Sequence, residues 1–480
     1  MTQKKSKVKR RIITVVLVLI ALAVVGAGIL LWVSRDYLVW RNSPRPEVET
    51  FMICCMEMTG YGRDATRIVR RVERIHPIFI VEGYLPADYV AIRDEFIAVA
   101  ENTTCRQEFI FAAYRYVKSL QDGHMTGFGL FGIGGMTGGH LVVEWEMHDG
   151  RLFLSDEYGR TEVEVIEIGG IVATAVFDIV DEYVFAENQV YREWNHARYA
   201  RYGPMIEKAG GEVLVDRVML TLQEGDIIST LGVELEVFEA PTEPFSMSAL
   251  AASHEFVVRH EVLADGIFFI DLRIFYIDDS IMRTAEYIEQ AIADGYRKFI
   301  VDLRGNGGGN SMAGEILLQA MGITVPSSGI VRRFSPFMLE SAVEHNLVSP
   351  LERMIISAVS VFADGMIGMP TVETATNPNN VFVSVLTDNN TYSSATMMAY
   401  WVQDGGFGNL IGQPSRNAPS SFGDMLTFTL PYSGLEARVS HAQFLRPDTN
   451  ADQDTLWPDI IVEPDEALDV ALEYLRNRGN

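Results

Sequence analysis

Three stretches of this sequence carry residues whose types and spacing could do chemistry. Residues 391–396 read Thr-Tyr-Ser-Ser-Ala-Thr, directly after an apolar run at 381–386 and before a helical pattern at 396–402. A serine at a helix mouth after a buried strand can aim its hydroxyl into a cleft, and the helix N–H groups there favour an anionic intermediate. Ser and Thr are also ordinary helix N-caps, so the position has a purely structural alternative. Residues 302–310 read Asp-Leu-Arg-Gly-Asn-Gly-Gly-Gly-Asn. Glycines let the chain take positive φ and let a ligand approach the backbone. They also leave amides at a helix entrance, a place for negative charge. A phosphate cradle would need a lysine after the glycines, and none is there; a dinucleotide fingerprint would need a last glycine that is missing. An oxyanion hole and a ligand-free tight turn both stay open. The third stretch is Asp122-Gly123-His124, in a polar turn. Its imidazole could move a proton near neutral pH, or simply bond its own loop. His140, His254, His260, His345 and His441 are its rivals; His254, His260 and His441 fall in or beside strands.

These groups need a frame. Residues 299–301 are a short apolar run bounded by a turn signal, the pattern of a buried strand, and 311–321 read as a helix, giving strand, glycine loop, helix. From residue 254 the pattern is α/β: strand 267–272, helix 279–293, strand 381–386, helix 396–402, strands 409–411, 426–430 and 435–439, and a terminal helix 467–476. Upstream lie helices 64–76, 86–102 and 107–120, a glycine-rich stretch 127–139, and strands 141–145, 151–154 and 163–168. Helices 173–187 and 191–202 and strands 213–222 and 233–238 follow, and 241–246 looks like a boundary. The expected organisation is a linker at 34–60, a helical subdomain at 61–126, a β-rich region with a helical insert at 127–245 and a catalytic α/β domain at 246–480.

The chain has 480 residues, of which 48% are hydrophobic, so it is not a disordered chain. Its formal charge is −25; residues 1–11 carry six basic side chains and no acid, leaving −31 on the remainder. An acidic body argues against a nucleic-acid partner. Cys54, Cys55 and Cys105 are odd in number and lack metal spacing, so neither a disulfide framework nor a zinc site is expected. Nothing in the sequence calls for a metal or an organic cofactor. Residues 12–33 form an uncharged run of 22, long enough to span a bilayer. The basic cluster before it predicts a cytoplasmic tail at 1–11 and an extracytoplasmic body. A cleaved signal peptide would show a shorter apolar region and a small-residue cleavage site. An uncleaved single-pass anchor in the cell membrane is therefore expected.

Five motifs come in order: Leu120-Gln121-Asp122-Gly123-His124, Asp302-Leu303-Arg304-Gly305-Asn306-Gly307-Gly308-Gly309, Thr391-Tyr392-Ser393-Ser394-Ala395, Ile411-Gly412-Gln413-Pro414 and Pro458-Asp459-Ile460-Ile461-Val462. Together they resemble the C-terminal-processing (tail-specific) serine peptidase family, in its tricorn-core-like branch, over most of residues 60–475. The resemblance implies an α/β fold: a ClpP/crotonase-like ββα-superhelix catalytic domain with a helical N-terminal subdomain and a small β-rich region. It implies peptide-bond hydrolysis with Ser393 as nucleophile and Ser394 as the alternative. It implies oxyanion amides from Gly307 or Gly308 together with Ser394. One branch of the family activates its serine with a downstream lysine, but Ala418 stands at that position and no lysine follows Lys298, which excludes the dyad. The other branch uses a histidine from the N-terminal part, which His124 matches. The acidic partner is expected at Asp452, with Asp454 its neighbour, although the family has glutamate there. The long insert does not fit a compact PDZ domain, so the β region is expected without one.

The expected function is a membrane-anchored extracytoplasmic serine endopeptidase acting on a peptide or protein substrate. A catalytically inactive peptide-binding scaffold of the same fold is the alternative. An acyl-CoA enzyme of the same fold class would want basic side chains for the CoA phosphates, and the acidic body with so few lysines argues against it.

Overall fold

The computed structural model describes residues 60–478 except 82, 84, 127–129, 131–138, 157–158, 215, 238–246, 335–364 and 370–374. The expected anchor at 12–33, the linker, Cys54, Cys55, His345 and the boundary at 241–246 lie outside the described residues. Among the described residues no helix is long and apolar enough to cross a membrane.

Three helices come first: α1 (Tyr61–Ile75), α2 (Tyr89–Asn102) and α3 (Arg106–Lys118). Ala65, Ile68, Val69 and Val72 recur at helical spacing and are fully buried, giving α1 its inward face. An antiparallel sheet follows: β1 (Gly139–Leu141), β2 (Trp145–His148), β3 (Arg151–Asp156), β4 (Gly159–Ile168), β5 (Ile171–Val172), β6 (Arg217–Glu224) and β7 (Ile227–Val237). Its order is β1-β7-β6-β4-β3-β2, with β5 on β4. The insert is α4 (Ala173–Tyr183), α5 (Gln189–Tyr199) and α6 (Gly203–Lys208). Its first helix stops short of the expected residue 187. The chain turns extended at Val184, and the Asn188 side chain accepts from Tyr191 N at 2.8 Å to start the next helix. That leaves residue 187 in a turn.

The α/β part opens with α7 (Met247–Ser253). Its sheet holds β8 (Val258–Leu263), β9 (Ile267–Leu272), β10 (Lys298–Asp302), β13 (Phe382–Thr387), β14 (Gly408–Gly412) and β17 (Ile460–Ile461), in the order β17-β14-β13-β10-β9-β8. The strands are parallel except β8. All six residues of β9 are buried, as in a strand covered on both faces. Burying Phe299, Ile300 and Val301 in β10 stabilises the fold by about 1.5–3 kcal/mol each. Helices α8 (Asp279–Ala293), α9 (Met312–Ala320) and α10 (Ser394–Asp404) pack with one face of the sheet, and α11 (Ala467–Asn477) with the other.

Four strands form a third sheet: β11 (Gly329–Phe334), β12 (Gly365–Met369), β15 (Ser421–Thr429) and β16 (Glu436–Leu445). Phe422, Leu426, Phe428, Ala437 and Val439 are buried in one core with α1–α3 and the antiparallel sheet, not with the α/β core. The buried Asp64 of α1 accepts from Tyr432 N and Ser433 N, both at 2.8 Å, fastening the β15–β16 turn to that helix. Residues 421–445, which the sequence groups with the catalytic domain, therefore complete the core of the N-terminal part.

Candidate active site

Strands β10 and β13 are parallel neighbours with Asp302 opposite Leu386, so their C-terminal ends finish side by side. In open α/β sheets the crevice beyond those ends is where ligands bind. Buried Asp302 accepts from Arg304 N at 3.0 Å and from Arg304 Nη2 at 2.6 Å, so the Asp-Leu-Arg segment is a self-bonded turn. Asp388, after β13, accepts from Gly305 N at 3.0 Å and from Thr391 N at 2.9 Å, pinning both turns with one carboxylate. Asn306 is fully buried. Its Nδ2 donates to Leu272 O at 2.6 Å, its Oδ1 accepts from Gly308 N at 2.8 Å, and its carbonyl accepts from Tyr392 N at 3.0 Å. One asparagine thus ties together the chain leaving β9, β10 and β13.

Ser393 has φ 54° and ψ −121°, a conformation that costs a non-glycine residue about 1–3 kcal/mol. It is held there from several sides: Ser393 N donates to Asn417 Oδ1 at 2.9 Å, Met397 N donates to Ser393 O at 3.0 Å, and Ser394 Oγ donates to Gly309 O at 2.6 Å. The Ser393 side chain makes no capping bond to α10. Its Oγ lies instead 3.1 Å from His124 Nε2, so the N-cap alternative fails. The Ser394 hydroxyl is already committed to the glycine loop, which suits a brace and not a nucleophile.

Gly308 has φ +95°, and a Cβ there would meet Tyr392 O at 2.7 Å, Ser393 Cβ at 2.8 Å and Ser394 N at 2.9 Å. Only glycine allows the loop to lie against the serine. The Gly308 N–H, however, donates to Asn306. It is not free to receive an oxyanion, which corrects that expectation. The N–H groups of Gly307 and Ser394 have no hydrogen-bond partner among the described residues.

His124 comes from the other core. Buried Asp122 accepts from His124 N at 2.8 Å and Met125 N at 3.2 Å through Oδ1, and from His76 Nε2 at 2.9 Å through Oδ2. His76 Nδ1 accepts from Ile78 N at 3.1 Å, so its proton sits on Nε2. Burial pushes the Asp122 carboxyl up, but its bond to His76 and the charges around it leave it below the ordinary value. Asp122 therefore shapes the turn that presents His124. The ring's Nδ1 lies 3.3 Å from the Tyr392 hydroxyl. The ring also bonds the Phe422 backbone, and none of these partners belongs to its own loop, so the loop-bonding alternative fails. Burial pushes the imidazole below its ordinary value, with Asp122 opposing and Arg416 assisting. A neutral ring with its proton on Nδ1 leaves Nε2 to accept from Ser393 Oγ–H.

Asp452 is not brought to this imidazole. It is exposed, and its carboxylate accepts from Asp454 N at 2.9 Å, Thr455 N at 3.1 Å and Trp457 Nε1 at 3.1 Å. It closes its own turn, as short polar side chains do. Asp454 is exposed too, and its carbonyl accepts from Asn188 Nδ2 at 2.8 Å. The place expected for a carboxylate is taken by the Tyr392 hydroxyl.

Sequence reasoning missed the roles of His76, Tyr392, Asn417 and Glu187. Tyr392 stood inside a motif already singled out. The others are lone polar residues in distant turns, with no local pattern. Arg416 lies 4.1 Å from the Trp194 ring and 4.8 Å from the Tyr392 ring, packing the insert against the nucleophile turn. No cluster of His, Cys, Asp or Glu among the described residues could hold a metal ion.

An alcohol on a strained strand-to-helix turn, beside an imidazole and unclaimed amides, is the arrangement of a serine hydrolase. Residues 270–462 match peptidase family S41. That match covers most of the α/β part, which is similar to the family there, and the chain is a serine peptidase. Mature CPAF complexed with lactacystin has a similar fold, at 13% identity over 87% of this chain and 97% of that one, with a TM-score of 0.57. A CPAF mutant aligns at 12% identity over 88% of this chain and 98% of its own, also at 0.57. The photosystem II D1 C-terminal processing protease aligns at 12% identity over 85% and 94%, with a TM-score of 0.43. No curated protein matches the chain in sequence.

Proposed function

We propose that this chain is a membrane-anchored extracytoplasmic endopeptidase in which Ser393 is the nucleophile and His124 its general base. The observation that carries the proposal is the 3.1 Å approach of His124 Nε2 to Ser393 Oγ, between residues 269 apart in sequence. His124 takes the hydroxyl proton as Oγ attacks the peptide carbonyl, and returns it to the leaving amine. The Gly307 and Ser394 amides receive the developing oxyanion; α10 adds its N-terminal dipole. The second half-reaction repeats the sequence with water in place of the serine, releasing the acyl group.

The imidazolium that forms meets a neutral hydroxyl at Nδ1 instead of a carboxylate. Buried Asp122, bonded to the backbone of the same turn, supplies the negative charge that most favours it. The extracytoplasmic placement rests on residues 1–33: a basic cluster followed by a span-length apolar run. The full chain in detergent, given an unfolded protein substrate, should release internal peptides detected by mass spectrometry. Ser393→Ala should release none. Undiminished cleavage by that variant would overturn the assignment. In intact cells, external protease should digest the body and spare residues 1–11; protection of the body would reverse the proposed topology.

A further inference from the structure

We infer that Glu187, carried by the helical insert, is a positioning residue that sets the geometry of the Ser393–His124 pair. The inference rests on the peptidase reading of that site. Glu187 sits in the turn between α4 and α5 and accepts from three donors. Gly123 N, one residue before His124, lies at 3.3 Å from Oε1. Asn417 Nδ2 at 2.7 Å and Ala418 N at 2.8 Å share Oε2. Asn417 in turn accepts the Ser393 N–H through Oδ1 at 2.9 Å.

A carboxylate can only accept, so it fixes which way the Asn417 amide points. The NH₂ must face Glu187, and the oxygen must then face Ser393. That oxygen is one of the bonds holding Ser393 at its positive φ. The same carboxylate fixes the backbone that presents the imidazole. One group from a third segment therefore registers nucleophile and base against each other. Asp122 of the histidine turn, Tyr191 of α5 and Tyr392 of the nucleophile turn are the titratable groups facing it, and Arg416 stacks on Tyr392. Tyr191 stays in register by donating its hydroxyl to Gly123 O at 3.0 Å.

Burial pushes the Glu187 carboxyl up to about 7, against the lowering effect of its hydrogen bonds. Protonation puts a hydrogen on one of the two accepting oxygens, so site geometry should tighten as pH rises through this value. The raised value also means that the ionised form costs stability above pH 7 and nothing below the carboxyl's unfolded value. A brace kept for stability alone would not be charged there.

The test is the second-order rate at which a fluorophosphonate labels Ser393 in the full chain, across the pH range either side of 7, with the site read by mass spectrometry. Glu187→Gln places an NH₂ where one N–H must be accepted. It should slow labelling by about tenfold, the worth of one hydrogen bond. It should also abolish the ionisation near 7, leaving only the lower one of His124, with a thermal midpoint above pH 7 no lower than wild type. Labelling at the wild-type rate with the wild-type pH profile overturns the inference. So does a rate loss that only tracks a lower thermal midpoint. Should Glu187→Gln fail to fold, Glu187→Asp keeps the charge on a shorter stem and should label slowly while keeping the ionisation near 7. A wild-type rate in that variant overturns the inference too. Absence of labelling at Ser393 in the wild type itself removes the peptidase reading, and this inference with it.

Discussion

The molecule's two cores contribute differently to one site. The α/β core is a mostly parallel sheet covered on both faces, with a nearly continuous apolar interior. It supplies Ser393 and the glycine loop, both at the C-terminal ends of adjacent strands. The other core joins helices, an antiparallel sheet and the β15–β16 hairpin, and it supplies His124 from a polar turn. In the first, placement follows from the backbone: strand register fixes where loop and serine meet. In the second, placement follows from a buried side-chain chain, His76 to Asp122 to the His124 backbone. The strand register should tolerate side-chain changes that leave the backbone free. The histidine turn should not survive loss of one polar partner.

Four substitutions would break or sharpen that contrast. Gly308→Ala strikes the α/β side at its closest approach, where a Cβ would lie 2.8 Å from Ser393 Cβ. Displacing the serine by a fraction of an ångström should lower turnover by about 10²-fold or more. An active Gly308→Ala enzyme would show that the loop does not set the nucleophile. Asp122→Asn strikes the other side, turning a buried acceptor of three hydrogen bonds into a mixed donor. It should cost about 2–3 kcal/mol in denaturant titrations. The Asp122 carboxyl is held below its unfolded value. Its stabilising contribution is therefore complete above about pH 4 and fades as pH falls through the lower folded value. The stability difference between wild type and variant should shrink over that window, and a constant difference would contradict the assignment.

Tyr392→Phe removes only the hydroxyl facing His124 Nδ1 and should lower turnover roughly tenfold with little change in substrate affinity. Loss confined to KM would place Tyr392 in substrate binding instead. Asp452→Asn should change turnover by less than about twofold, because the carboxylate closes an exposed turn. A large loss there would restore the expectation that the structure corrects.

How much of this was legible in the sequence follows the same division. Strand β10, helix α8 and the nucleophile turn announce themselves through continuous apolar runs and turn residues within a few positions of one another. The pairing of β10 with β13 makes the two motifs neighbours by register alone. The hairpin at 421–445 misled because alternation shows which face is buried, not which core buries it. Asp452 misled because counting along the chain cannot see a side chain satisfied by its own turn. His76, Asn417 and Glu187 left no local signal: each acts through a partner far away in sequence, and a lone polar residue looks the same whether it braces a site or faces water. His124 was found through motif resemblance, not through its surroundings.

The account stands on an imidazole from one core activating an alcohol from the other. The direct measurement is the rate of fluorophosphonate labelling at Ser393 in the wild-type chain and in His124→Ala, with folding checked by thermal midpoint. Labelling confined to Ser393, slowed by about 10³-fold in a variant that melts like wild type, is the expected result. Equal labelling rates in the two proteins would contradict it.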